Sequence, residues 1–269
     1  MSELIGQQNL LQQFEQLKEL PALTILLGPK GSGRTFFSKY VSELRGLSYI
    51  KVKNKISDIR QMIEDTRVLS SPTIYYIENA DEITIQAANA MLKIAEEPPK
   101  NLYIMLGLSS TENILPTIIS RGRVFRMDNY SKAELETYFN KLDLAVKDNQ
   151  TLLNCISNPG ELNECLLYDF DEAYRYVELV FNNILQVSTG NSFKISSKIA
   201  FKADEAGIPI NIFFNIMLEV LRGHLQDDIA KINKMLKYTL ETRRELNKKG
   251  ANKKLIFNCW VLNIRTLRG

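Results

Sequence analysis

The apolar and polar positions change their rhythm near residue 129. Before that point, short apolar runs alternate with amphipathic segments. Ala22–Leu27 (ALTILL) is nearly all apolar, as a strand covered on both faces would be, and Ser48–Val52, Thr73–Glu78 and Asn101–Leu108 read as further strands. Helical spacing occupies the intervals, over Thr35–Leu44, Ser57–Leu69 and Thr84–Glu97. Ser57 and Thr84 stand where N-caps are expected, and Pro98-Pro99 stops the third helix. This alternation predicts an α/β fold with a parallel sheet.

After Asn129 the strand signals stop and amphipathic helices are expected over Ser131–Leu142, Asp171–Gln186, Pro209–His224, Asp227–Lys249 and Lys253–Leu267. Ser131 and Glu134 have capping-box spacing, and Gly250 stands at a C′ position between the last two helices. Ser157-Asn158-Pro159-Gly160 and Ser188–Ser192 (STGNS) read as loops. No internal repeat is visible.

Composition strengthens the helical reading. The 269 residues include 13 Gly and 8 Pro, about 8% together, against a usual combined level of about 12%. With 45% hydrophobic and 24% charged residues, the chain has globular composition, which excludes disorder and collagen. Three cysteines (Cys155, Cys165, Cys259) and one histidine (His224) are too scattered for an ordinary zinc site and are expected as packing or surface residues. The opening segment has no basic-then-apolar signal pattern, and no run approaches the roughly 18 apolar residues of a membrane span. A cytoplasmic protein without membrane contact is the expectation. Charge is unevenly divided: residues 131–230 hold 8 basic and 15 acidic groups, whereas 231–269 hold 11 Lys/Arg against Glu241 and Glu245. The basic end suits a solvated helix face, an acidic protein surface or phosphates, although no aromatic ladder for stacking bases accompanies it.

Candidate chemistry begins at Gly28-Pro-Lys-Gly31-Ser-Gly33-Arg34-Thr35, between an apolar strand and a helix. It fits the phosphate-loop pattern except that Arg34 stands at the lysine. Such a loop turns backbone N–H groups toward phosphate, its lysine reaches the terminal phosphates, and its Ser/Thr holds magnesium. Arginine keeps the charge but is longer, planar and forked, so it is a poor substitute inside a closed loop. A plain glycine turn is the competing reading. On the strand ending at Glu78-Asn79, where an ATPase needs Asp-Glu, Glu78 retains a carboxylate for a cation while Asn79 is no general base. Asp81 and Glu82 are expected past the strand, as exposed charges at a helix entry. Both changes predict inefficient ATP hydrolysis.

A family resemblance rests on longer segments. Ala87-Ala-Asn-Ala-Met-Leu-Lys-Ile-Ala-Glu-Glu-Pro-Pro99 resembles the A-x-N-A-L-L-K-x-L-E-E-P-P signature of clamp-loader AAA+ ATPases, and Leu115-Pro-Thr-Ile-Ile-Ser-Arg121-Gly-Arg123 resembles their L-P-T-I-x-S-R-C motif. Leu4-Ile-Gly-Gln7 is similar to the first AAA+ box, and Ala251-Asn-Lys-Lys-Leu255, followed by a final helix, to the N-x-x-L ending of the collar domain. The resemblance implies an AAA+ P-loop domain with a parallel sheet (1–128), a small helical lid (129–168) and an all-α collar for oligomerisation (169–269). It also implies a non-hydrolysing stator of a bacterial-type DNA polymerase III clamp loader. The partners it implies are motor and wrench subunits in a five-subunit ring, with the sliding clamp and primer-template DNA reached through the complex.

The same resemblance assigns Arg121 as an arginine finger acting in trans, with Arg123 in reserve. Gly28, Gly31, Gly33, Arg34, Thr35, Glu78 and Asn79 become a degenerate nucleotide site. No cofactor is expected for hydrolysis, and residual ATP or ADP binding stays open. The four-cysteine zinc module of typical bacterial members has no counterpart in Arg45–Val52, so no zinc is expected. Gly122 replaces the family's cysteine, Glu161 stands where the lid motif has arginine, and either Ser109 or Ser110 takes the polar sensor position. Two other functions remain open: an active clamp-loader ATPase using Arg34 and Glu78, and a DNA-binding adaptor using the basic C-terminal region.

Overall fold

A computed structural model of the chain describes residues 3–112, 114–142, 149–186, 208–246, 248 and 250–267. The expected loop Ser188–Ser192 and the expected helix end at Lys249 lie outside them. The described chain forms two compact units, one of residues 1–142 with 158–160, the other of residues 143–157 with 161–269.

The first unit contains a five-stranded parallel sheet of β1 (Leu23–Leu27), β2 (Ser48–Val52), β3 (Thr73–Ile77), β4 (Leu102–Leu108) and β5 (Arg123–Arg126). The spatial order is β2-β3-β4-β1-β5. Helices α1 (Gln8–Glu15), α2 (Arg34–Arg45), α3 (Ile56–Asp65), α4 (Ile85–Glu96), α5 (Pro116–Ile119) and α6 (Lys132–Lys141) accompany it. The central strands explain their own composition. Leu23, Ile25 and Leu27 of β1 join Tyr75, Ile77, Ile104, Leu106, Ile59, Met62, Met91 and Ile118 in one core. Leu26 joins Ile74, Tyr76, Met105, Phe125, Leu10, Phe14, Phe37 and Val41 in the other. A strand covered on both faces must be apolar at odd and even positions alike.

The expected α/β architecture is therefore present, with five corrections. The fifth strand was not foreseen, because Arg123-Val-Phe-Arg126 is short and three of its four residues are exposed. Only its parallel pairing with β1, from Thr24–Arg123 to Leu27–Arg126, makes it a strand. Helix α1 is likewise additional to the elements expected from the sequence. Ser57 is not a cap: Lys55 holds the N-cap position of α3, without a side-chain bond, and the α-helix stops at Asp65 before a short turn over Thr66–Val68. The other two corrections are a buried Asp81, described below, and helices in the second unit. Thr84 does cap α4, accepting from Ala87 N–H at 3.2 Å, and Ser131 with Glu134 forms the expected capping box.

Among its described residues the second unit consists of helices and their connecting turns, with no strand. α7 (Asn149–Cys155) has no counterpart among the helices expected from the sequence, and α8 (Pro159–Cys165) begins inside Ser157–Gly160, so Pro159 and Gly160 are helical rather than loop. They precede α9 (Phe170–Gln186), α10 (Ile210–Gly223), α11 (Ile229–Leu246) and α12 (Lys253–Thr266). Phe213, Phe214, Phe257 and Trp260 pack with ring centroids 5.1–6.1 Å apart, and the Trp260 indole N–H donates to Thr239 Oγ1 at 3.0 Å. Cys155 and Cys165 are buried, and burial raises both thiols, Cys165 to about 12. Cys259 is exposed, and His224 Nδ1 lies 2.8 Å from Asp227 Oδ2. No described helix is long and apolar enough to cross a membrane.

Candidate functional site

The carboxyl ends of β1, β3 and β4 bring three sequence-distant segments together, the place where open parallel sheets bind ligands. From β1 the chain enters the glycine loop, with Gly31 at φ +87° and Gly33 at φ +88°. Gly33 is the N-cap of α2, and its carbonyl accepts from Phe37 N–H at 2.8 Å. The loop has the backbone form expected of a phosphate cradle.

Its side chains are already committed to one another. Arg34 is only 5% exposed. Its Nη1 donates to Ser109 Oγ at 3.2 Å and its Nη2 to Asn79 Oδ1 at 3.1 Å, so the planar fork ties the glycine loop to the ends of β3 and β4. Asn79 suits this role because its backbone is left-handed (φ +51°), a conformation that asparagine tolerates better than most residues. Thr35 Oγ1 donates to Glu78 Oε1 at 3.0 Å, and Lys51 Nζ on β2 lies 2.6 Å from Glu78 Oε2. Lys51 and Thr35 hold the Glu78 carboxyl below the usual carboxylate range against partial burial, which acts in the opposite sense. Tyr76 O–H lies 3.3 Å from Thr35 Oγ1, and burial pushes its phenol to about 12.

Ser109, not Ser110, reaches the glycine loop, since Ser110 Oγ accepts from Glu112 N–H instead. Asp81 reverses its expected role as an exposed helix-entry charge. It is 8% exposed, in the turn Ala80–Glu82, and its Oδ2 accepts from Ser109 N–H at 3.2 Å. The turn after β3 folds back toward β4, which a linear reading of Asp81-Glu82 does not reveal. Glu82 is exposed as expected.

The segment Asn158–Gly160 also belongs to this unit and lies against the loop. Gly160 N–H donates to Gly31 carbonyl at 3.0 Å. A Cβ placed on Gly31 would meet Asn158 Oδ1 at 2.3 Å, and one on Gly160 would meet Gly31 Cα at 2.2 Å. Both glycines are required by close backbone approach, independently of any ligand. In this arrangement the residues do not fit a magnesium-bound triphosphate. The carboxylate that would hold the cation is neutralised by Lys51, the cation at the lysine position is tied to Asn79 and Ser109, and backbone covers Gly31.

Arg121 lies apart from this cluster, after α5. Its Nη2 is 2.7 Å from Glu96 Oε1 and its Nη1 donates to the Thr117 carbonyl at 2.9 Å. Arg123, the reserve candidate, instead places its guanidinium 5.1 Å from the Phe125 ring centroid in β5. In the second unit Glu161, at the lid-motif position, accepts from Ser157 N–H at 2.8 Å and pairs with Arg243 at 3.1 Å. Reading the residues alone had not singled out Lys51, Tyr76 or Glu96 as members of these clusters. Lys51 sits at an alternating edge-strand position, where nothing local distinguishes a site lysine from a solvated one.

Comparison with known proteins finds similarity along part of the chain. The family model described as DNA polymerase III, delta subunit, matches residues 39–131. DNA polymerase III subunit delta' of Haemophilus influenzae is 30% identical over 107 residues, covering 40% of this chain and 32% of the relative. The Bacillus subtilis subunit delta' is 26% identical over 141 residues, 52% of this chain and 43% of the relative. Over these stretches the chain is similar to delta' subunits. It spans less than half the length of each of these two relatives. Among solved structures, the Thermotoga maritima RuvB Holliday junction branch migration motor aligns with 84% of this chain and 78% of its own at TM-score 0.51 and 12% identity, a likeness of fold. This similarity and the parallel sheet flanked by helices agree with the resemblance and the α/β fold expected from the sequence.

Proposed function

We propose that this protein is a non-hydrolysing, stator-type subunit of a DNA polymerase III clamp loader, acting in the cytoplasm. Beyond a helical lid (129–168), its collar (169–269) joins it to motor and wrench subunits in a five-subunit ring, and Arg121 enters a neighbour's ATP site. The sliding clamp and primer-template DNA are engaged through the complex. The observation that carries the silent half of the reading is the self-satisfied glycine loop: a buried Arg34 bonded to Asn79 and Ser109, beside Glu78 bonded to Thr35 and Lys51. Hydrolysis needs a free cation site and a base to activate water, and neither side chain next to β3 supplies them. ATP, ADP and zinc have no role in this subunit's own chemistry under the proposal.

The active half rests on the Ser-Arg motif and on the partial exposure of Arg121. A guanidinium delivered across an interface stabilises charge developing on the transferred phosphoryl group, an effect of about 10³–10⁵-fold in rate where it is largest. The test combines this protein with the motor and wrench subunits of the same organism and measures ATP turnover stimulated by clamp and primed DNA. Arg121→Ala is expected to leave assembly intact and to reduce turnover by at least about 10²-fold on the same basis. Unchanged turnover in a fully assembled complex refutes the finger. Phosphate release by the isolated subunit is expected to equal that of its Arg34→Ala variant, and a clear excess in the wild-type chain refutes the silent site.

A further inference from the structure

The carboxylate beside Arg121 is that of Glu96. Glu96 is the last residue of α4, immediately before Glu97-Pro98-Pro99, so it projects from the end of a helix whose core side carries Ala87, Ala88, Met91 and Ile94. Arg121 follows α5, whose Ile118 is fully buried in the same core. Two anchored helices therefore present an acid and a base to each other at 2.7 Å, while the Thr117 carbonyl takes the second terminal nitrogen at 2.9 Å. A guanidinium has five N–H donors, of which these bonds require two. The Arg121 side chain is 35% exposed and that of Glu96 50%, so the held guanidinium remains accessible from solvent.

A pair this exposed adds little to folding, because water solvates both partners well and screening weakens their attraction. Its effect is on the freedom of the arginine. A long side chain in water samples many rotamers, and each one lost at the moment of reaction slows the step that needs it. Holding two terminal nitrogens against rigid elements removes that search before a phosphate arrives. We infer that Glu96 is the positioning residue of Arg121, orienting the guanidinium across the subunit interface with its remaining donors free. The inference rests on the proposed finger and names a second residue on which its efficiency depends.

The test uses the assembled clamp loader with Glu96→Ala, Glu96→Gln and Glu96→Asp, alone and combined with Arg121→Ala. Glu96→Ala is expected to lower kcat for clamp- and DNA-stimulated ATP turnover about 3–30-fold, as a misplaced catalytic group does, with KM for ATP and ring assembly unchanged. Glu96→Gln should lose nearly as much, because the neutral amide holds the guanidinium weakly, and Glu96→Asp should recover part of the rate. On the Arg121→Ala background, Glu96→Ala should cost nothing further, since residues that act as a unit are not additive. If Glu96→Ala turns over normally while Arg121→Ala does not, the positioning role is wrong and the finger stands. An equal loss from Glu96→Ala in both backgrounds also overturns positioning and points to a general structural defect. If Arg121→Ala itself retains full turnover in an assembled ring, the finger fails, and the positioning role with it.

Discussion

Arg34 shows how one substitution redirects a site. A lysine at this position would present a single ammonium, whereas the arginine fork bonds two acceptors from different strands at once. The guanidinium is consequently a cross-link between the ends of β3 and β4. Arg34→Ala would leave Asn79 Oδ1 and Ser109 Oγ facing a gap, and it is expected to destabilise the first unit by about 1–3 kcal/mol, read as a shift of the urea midpoint. Glu78 gives a pH-dependent counterpart. Its folded pKa is depressed, so the stability it contributes is present above its unfolded value and is lost as pH falls through the lower folded value. Lys51→Met removes the main cause of that depression. The acid-unfolding midpoint followed by circular dichroism is expected to move to higher pH; an unmoved midpoint would mean that Lys51 is not what holds the carboxylate ionised. Tyr76 acts in the opposite sense: its phenol is raised from 10.0 to about 12, so its contribution is complete below the unfolded value and is lost as pH climbs through the folded one.

Elements differ in how much of their form was local. The capped starts of α4 and α6 were legible because capping is decided within four residues, as the bonds at Thr84 and Ser131 illustrate. Thr84→Ala is expected to cost about 1 kcal/mol, measurable as a lowered Tm of the first unit. By contrast, β5 and the cover over the glycine loop depend on partners far away in sequence. Gly160→Ala tests that cover: its Cβ would meet Gly31 Cα at 2.2 Å, so Asn158–Gly160 must move away from the loop. Faster amide exchange around residues 28–35 and 157–161, with protection of β1 and β4 unchanged, is the expected result. Unaltered exchange in both segments would show that the contact is not what orders them.

At the scale of the whole molecule, two compact units carry separate cores, and the single tryptophan, Trp260, belongs to the second. Its fluorescence therefore reports the helical unit, whereas far-ultraviolet circular dichroism reports both. Thr239→Val removes the acceptor of the indole N–H and is expected to lower the tryptophan-detected urea midpoint, at a cost of about 1–3 kcal/mol, while leaving the sheet-bearing unit's transition in place. A single coincident shift of both signals would mean that the units unfold together.

Short-range rules govern the part of this protein that is legible along the chain. The apolar run of β1, the glycine turn, the replacement of lysine by Arg34 and of the second acid by Asn79, and the Ser-Arg motif are all readable in a few consecutive residues, as is the helical period beyond residue 129. The family likeness needed no coordinates, because the motifs that carry it are contiguous. Which groups meet depends on the tertiary fold: Lys51 with Glu78, Arg34 with Asn79 and Ser109, Glu96 with Arg121, and Gly160 with Gly31. The same holds for the burial of Asp81 and for a strand at Arg123–Arg126. Such contacts follow from the order and register of parallel strands joined through helices. No local period encodes which side chain from one connection will stand opposite another.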